Sequence, residues 1–284
     1  MLCDYVLTPP TDSKTVLVFV HGWLLSRAYW QPVIDQLAPH YQCLAYDLRG
    51  FGQSVADTQC AADCDGDRDY SLAAHAQDLL NLMTQLEIRQ AWLVGHSLGG
   101  AVALWATDLA PDRIAGAICV NFGGGIYLEQ DFAKFRQAGQ QMLGWRPSWL
   151  RYAPFVDRAF GQMAVCQPSA RTWGKQRLQD FLVADRQAAA ATLLDSTTAA
   201  EVHRLPQIVA RLAQPAYFIT GQHDPVMPPR YVRHLASFHR SFPAWGENVL
   251  ELEDCGHFAM LEQTAAVTQY IQSILQGEFV PACI

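Results

Sequence analysis

The chain lacks any apolar run long enough to cross a bilayer. The longest near its N-terminus is Val16–Val20, five residues, where a span needs about twenty. No basic segment precedes it, so neither a leader nor stable membrane insertion is expected, and a cytoplasmic location is. Positive charge is also short. Lys and Arg number 20 against 27 Asp and Glu, a formal net charge of −7. With no Lys/Arg run to form a basic patch, this balance argues against a nucleic-acid partner. Internal repeats are missing. So is a Cys-x-x-Cys repeat, although the chain has eight cysteines. Cys60 and Cys64 are the one close pair, without further ligands at metal-site spacing. Passive loop thiols are expected there, and no metal or cofactor. Cys43 and Cys119 lie in apolar runs, where a thiol acts as a small hydrophobe. Cys283 has one residue after it, so a prenylation box does not fit.

What is present is apolar and regularly spaced. Half of the 284 residues are hydrophobic, ample for one large core. Short apolar runs occur at 16–20, 43–46, 91–94, 117–120, 216–220 and 249–252. Uninterrupted runs of this length suit strands buried on both faces of a parallel sheet. Helical stripes lie between them at 72–86, 98–109 and 261–275. The alternation predicts an α/β fold: a mostly parallel central sheet flanked by helices. Residues 2–7 are expected to add one further strand.

The alternation stops between residues 123 and 213. Gly123-Gly124-Gly125 opens this stretch and Ala213-Gln214-Pro215 closes it. Its content reads as helical, most strongly over 182–194 with alanines at 188 to 191. The expected division is a core of 1–122 and 214–284 with a helical cap, 123–213, inserted between two strands.

Gly95-His96-Ser97-Leu98-Gly99-Gly100 joins a strand candidate to a helix candidate. A serine on so sharp a turn is displayed rather than buried, and its neighbours two positions away must be small. The competing reading is close packing alone. A serine hydroxyl needs a general base, and that base needs a third group to hold its tautomer. Among nine histidines, His257 follows the last strand candidate in Asp254-Cys255-Gly256-His257-Phe258. Asp224 follows another, fixed between Gly221 and Pro225. Loops at the C-terminal ends of such strands collect ligand chemistry. Ser97, Asp224 and His257 are therefore the expected catalytic residues, in the order serine, acid, base. The oxyanion of an acyl intermediate needs backbone donors. The N–H of Leu98 is one candidate. The N–H of Trp23, in His21-Gly22-Trp23-Leu24-Leu25 after the first long strand, is the other, with Gly22 expected to permit an unusual backbone conformation.

These motifs, together with Asp47-Leu48-Arg49-Gly50-Phe51-Gly52-Gln53-Ser54, resemble those of the α/β-hydrolase superfamily in their order, over roughly residues 5–122 and 214–276. The loop at 21–25 is similar to that of cofactor-free aryl esterases and non-haem haloperoxidases. The resemblance implies a serine esterase with a cap over its pocket. The serine at 97 argues against dehalogenase and epoxide hydrolase chemistry, which in this superfamily uses an aspartate there.

The expected reaction is hydrolysis of a carboxylic ester with a partly apolar, small to medium substrate. C–C, thioester and lactone hydrolysis use the same parts, and a hydrolase-fold ligand receptor is the alternative from another class. Peracid formation is expected only as a side activity. Substrate contacts are expected from Trp23, Tyr127, Trp145, Trp149, Met227 and Phe258. Arg146, Arg151 and Arg171 are expected at the solvated surface, with pairing to a substrate carboxylate or phosphate as the alternative. Oligomeric state stays open.

Overall fold

The computed structural model describes residues 3–54, 69–124, 129–167, 170–242 and 246–278, without the side chains of 129–132. Cys60, Cys64, Cys283 and Tyr127 lie outside the described residues. Seven strands form one sheet: β1 (Tyr5–Leu7), β2 (Val16–Val20), β3 (Gln42–Tyr46), β4 (Ala91–His96), β5 (Ile114–Val120), β6 (Ala216–Gly221) and β7 (Val249–Leu252). Their spatial order is β1-β3-β2-β4-β5-β6-β7. β1 runs antiparallel to β3, and every other pair is parallel.

The strands are apolar throughout because both faces are covered. In β2, Val18 and Val20 enter one core while Leu17 and Phe19 enter the other. The second core is closed by α1 (Gln31–Leu37) and α11 (Thr264–Gln276), through Val33, Leu37, Ile271 and Ile274. The first is closed by α2 (Leu72–Gln85), α3 (Leu98–Leu109), α8 (Ala199–Arg211) and α9 (Pro229–Ala236). The chain goes from β2 to one neighbour, β3, and then crosses to the other, β4. That reversal opens a crevice beyond the C-terminal ends of β2 and β4, where open α/β sheets bind ligands.

Between β5 and β6 the described residues are helical: α4 (Glu129–Gly144), α5 (Val156–Gln162), α6 (Arg171–Val183), α7 (Arg186–Ser196) and then α8. The single helix expected over 182–194 is divided. Ala184 is extended, and the Asp185 carboxylate accepts from the Ala188 N–H at 2.7 Å as an N-cap. An N-cap of this kind is worth about 1 kcal/mol and starts a new helix. The helix expected over 261–275 is also divided, by Gln263 (φ −134°), into α10 (Ala259–Glu262) and α11.

Polar contacts tie the helical segment to the sheet side. The Trp23 indole N–H donates to the Ala189 carbonyl at 2.9 Å. Ser26 Oγ donates to Asp180 at 2.9 Å. Buried His75 on α2 meets Thr192 Oγ1 at 3.1 Å, and desolvation pushes the pKa of its ring down to about 3. No helix among the described residues is long and apolar enough to cross a membrane.

Candidate active site

Ser97 sits between β4 and α3 with φ 52° and ψ −121°. A non-glycine residue in this region costs about 1–3 kcal/mol, so the surroundings must hold it. They do so by exclusion. A Cβ on Gly95 would overlap the Gly99 carbonyl, and a Cβ on Gly99 would overlap the Val20 carbonyl. The Ser97 N–H also donates to the Val120 carbonyl at 2.9 Å. The glycines let the turn close against the end of β2.

His257 and Asp224 meet from the loops after β7 and β6. Nδ1 of His257 lies 2.8 Å from Oδ2 of Asp224. A ring nitrogen facing a carboxylate carries the proton, which leaves Nε2 free as a base. The Asp224 carboxylate also accepts from the amides of Val226 and Met227, both at 2.8 Å, and from Asn121 Nδ2 at 2.9 Å. Burial opposes its ionisation. The His257 charge, the His257 hydrogen bond and the two amides outweigh that, and hold the carboxyl below its ordinary pKa. No hydrogen bond joins Ser97 Oγ to His257, although both line one cavity. Such bonds often tighten only in a substrate complex.

His96 is wholly buried beside this pair. Its Nε2 donates to the His257 carbonyl at 2.8 Å, and the two ring centroids are 4.9 Å apart. Desolvation, then the neighbouring His257, bring the pKa of His96 down to about 3. It is therefore a neutral ring beside the pair.

The loop after β2 brings the Trp23 backbone to the same place. His21 clamps this loop, with Nδ1 2.8 Å from the Gly22 carbonyl and Nε2 accepting from the Leu48 N–H at 2.9 Å. The positive φ belongs to Leu24 (57°), not to Gly22 as expected. Gly22 serves close approach instead: a Cβ there would lie 2.9 Å from His96 Nδ1 and 3.2 Å from Ser97 Cβ. Leu98 is the first residue of α3, where an amide has no acceptor within its own helix.

Two cavities meet at Ser97, and Trp23, Phe135 and Val226 line both. The smaller, about 90 Å³, is enclosed by side chains including Leu72, Leu98, Phe122 and Met227. The larger, about 430 Å³, holds His257, Phe258, Met142, Phe160 and Arg177.

Residues 15–264 match the model of the alpha/beta hydrolase fold family. The chain belongs to that family. A pimeloyl-[acyl-carrier protein] methyl ester esterase of Xanthomonas campestris is 30% identical over 217 residues, covering 75% of this chain and 78% of the relative. An esterase of the same name from Aliivibrio salmonicida is 25% identical over 224 residues, 78% and 79% of the two chains. Among solved structures, a thermophilic esterase from Thermogutta terrifontis superposes with a TM-score of 0.75 at 22% identity, over 98% and 94% of the chains. A bromoperoxidase from Bacillus anthracis gives 0.77 at 17% identity, over 96% and 94%. At such identities the two structures speak for the fold.

In this hydrolase, two of the expected substrate contacts fall elsewhere. Trp145 and Trp149 are 62% and 55% exposed. They pack edge to face on each other, centroids 5.9 Å apart, and line neither cavity. Trp23, Met227 and Phe258 do line the cavities. Of the arginines expected at the surface, Arg171 pairs with Asp157 at 2.6 Å. Arg146 donates to the Phe181 and Ala184 carbonyls at 2.8 and 2.9 Å.

Two residues went unread in the sequence. Asn121 follows β5 at φ 51°, a conformation asparagine tolerates better than most side chains. Its amide spans Asp224 Oδ2 (2.9 Å) and the Gly256 carbonyl (3.0 Å), while its oxygen accepts from the Ala259 N–H at 3.3 Å. A polar residue ending an apolar strand was its only signal. Arg177, on α6, lines the larger cavity. Cys166, His223 and Asp254 place exposed ligand atoms within 4.8 Å of one another. Of the described residues they are the group able to hold a metal, and they lie outside both cavities.

Proposed function

We propose that the protein is a serine hydrolase of carboxylic esters, acting through an acyl-enzyme on a small to medium, partly apolar substrate. The observation that carries this reading is the buried Asp224–His257 hydrogen bond of 2.8 Å on the cavity that also exposes Ser97. In the proposed cycle, His257 Nε2 takes the hydroxyl proton as Ser97 Oγ attacks the acyl carbon. The backbone N–H groups of Trp23 and Leu98 stabilise the oxyanion, each donor being worth about 3–4 kcal/mol in such sites. Asp224 holds the tautomer of His257 and stabilises the imidazolium. His257 then returns the proton to the leaving oxygen, and water, deprotonated by the same imidazole, releases the acid. Residues 123–213 act as the cap over a core of 1–122 and 214–284, and keep bulk water from the reacting atoms.

The test is a set of 4-nitrophenyl esters of increasing acyl length, offered to the wild type and to Ser97→Ala, alongside fluorophosphonate labelling. Turnover that disappears in the variant, with label confined to Ser97, supports the reading. Slow single turnover with strong thermal stabilisation by ligand would instead mark a receptor.

A further inference from the structure

Arg177 is the one permanently charged residue among the described residues that line the larger cavity. It is 9% exposed. One of its N–H groups donates to the Met163 carbonyl at 2.7 Å, and its guanidinium carbon lies 4.2 Å from the centre of the Phe258 ring. Among the described residues no carboxylate forms a salt bridge with it. Arg171, on the same helix, has such a partner. A guanidinium offers five N–H donors in a fixed fork that matches a carboxylate. Buried charges are normally paired. Desolvation lowers the Arg177 pKa from its ordinary value, yet the side chain stays charged, because arginine is not deprotonated in proteins. The Glu262 carboxylate attracts it from beyond salt-bridge distance, and an anion arriving from solvent would supply the contact partner.

The side of the substrate on which that anion sits follows from proton transfer. The group that delivers a proton to the leaving oxygen must lie beside it. His257 lines the larger cavity and not the smaller. The alcohol part therefore occupies the larger cavity, and the acyl part the smaller one, with its apolar walls of Leu72, Leu98 and Phe122.

We propose that the larger cavity is an anion-accepting leaving-group site. The substrate is an ester whose short apolar acyl chain fills the smaller cavity and whose alcohol part carries a carboxylate that pairs with Arg177. This rests on the serine ester hydrolase reading. The bond broken joins acyl carbon to alcohol oxygen. Ser97 Oγ replaces that oxygen, which leaves as a hydroxy acid with the proton from His257, and water then completes the hydrolysis.

The experiment compares ω-acetoxyalkanoates of about four to eight carbons with their primary carboxamides, identical in shape and lacking the charge. Monoethyl esters of dicarboxylic acids, with the carboxylate on the acyl side, form the third series. Rates are read by pH-stat for wild type, Arg177→Gln and Arg177→Lys. The wild type is expected to favour the carboxylate over the carboxamide by roughly 10- to 100-fold in kcat/KM at the best chain length, the worth of a charged hydrogen bond. Arg177→Gln brings the ratio near one, and Arg177→Lys retains part of it. Three results overturn the proposal: a wild-type ratio near one, a parallel fall on both series in Arg177→Gln with the ratio kept, or preference for the dicarboxylic monoesters. Should Arg177→Gln fail to fold, the wild-type ratio and Arg177→Lys still decide. Ser97-dependent hydrolysis of the carboxamides without charge preference sinks this inference alone. No ester turnover at all sinks the underlying reading with it.

Discussion

Replacing Asn121 by aspartate exchanges one heavy atom, the amide nitrogen for oxygen, and changes almost no volume. The asparagine amide gives one hydrogen to Asp224 Oδ2 at 2.9 Å and the other to the Gly256 carbonyl at 3.0 Å. In Asn121→Asp, two carboxyl groups face each other at that first distance, both buried. Two charges 2.9 Å apart repel by about 6 kcal/mol at an effective dielectric of about 20. Protonating one of them at pH 7.5 costs about 5 kcal/mol, so the pair keeps one shared proton up to that pH. In the unfolded chain the introduced carboxyl ionises near pH 4. The folded state thus binds more protons than the unfolded state above pH 4, and stability falls as pH rises. Between pH 5 and pH 7.5 the deficit against wild type grows by about 3 kcal/mol. A carboxyl has one hydrogen where the amide had two, so the Gly256 carbonyl adds a pH-independent cost of about 1–3 kcal/mol. The measurement is urea unfolding of both proteins across this range, with Asn121→Ala as the uncharged control. A deficit identical at pH 5 and pH 7.5 would refute the reasoning. Activity reports on the same proton: while the pair holds it, one negative charge remains beside His257 as in wild type, so kcat is expected to fall less than in Asp224→Asn, where no charge remains.

Gly99→Ala should destabilise the fold by several kcal/mol, because the obstacle is the Val20 backbone carbonyl and backbone cannot give way as a flexible side chain can; calorimetry reads this as a lowered Tm, and an unchanged Tm contradicts it. Asp180 is buried, and desolvation raises its pKa from 3.8 to about 7. Its folded state therefore holds a proton that the unfolded chain has lost, and stability drains as pH climbs from about 4 to 7 by up to ~4 kcal/mol. Asp180→Asn is expected to flatten that slope in a Tm-against-pH series, and an unaltered slope counts against it. Trp145→Ala with Trp149→Ala should leave kcat/KM unchanged and shift stability by no more than about 1 kcal/mol; a large loss on apolar esters would return these rings to the pocket.

The sheet was legible because strands covered on both faces cannot avoid reading as apolar runs: every run at 16–20, 43–46, 91–94, 117–120, 216–220 and 249–252 lies within a strand. Helix breaks were less so. Alanines at 188 to 191 favour a helix wherever it starts, and mask the single capping carboxylate of Asp185 that sets the boundary. Trp145 and Trp149 misled because hydrophobicity says what a side chain gains from burial, not whether a partner is there. Arg177 was hidden for the opposite reason. A charge on a helix with little apolar bias reads as solvated, and only the cover of Phe258 and α5 makes it a buried one. Asn121 carries no pattern at all; its role is set by two loops, more than one hundred residues downstream, arriving together.

Met227 lines the smaller cavity and gives its main-chain N–H to Asp224. In the proposed ester reaction, a residue placed to gauge the length of the acyl chain thus also steadies the charge behind His257. Changes of side-chain bulk there can retune which acids are released while the electrostatic machinery stays in register. A proline at that position, lacking the N–H, would tune both at once. Substrate range and rate are consequently separable at this locus only for replacements that spare the backbone.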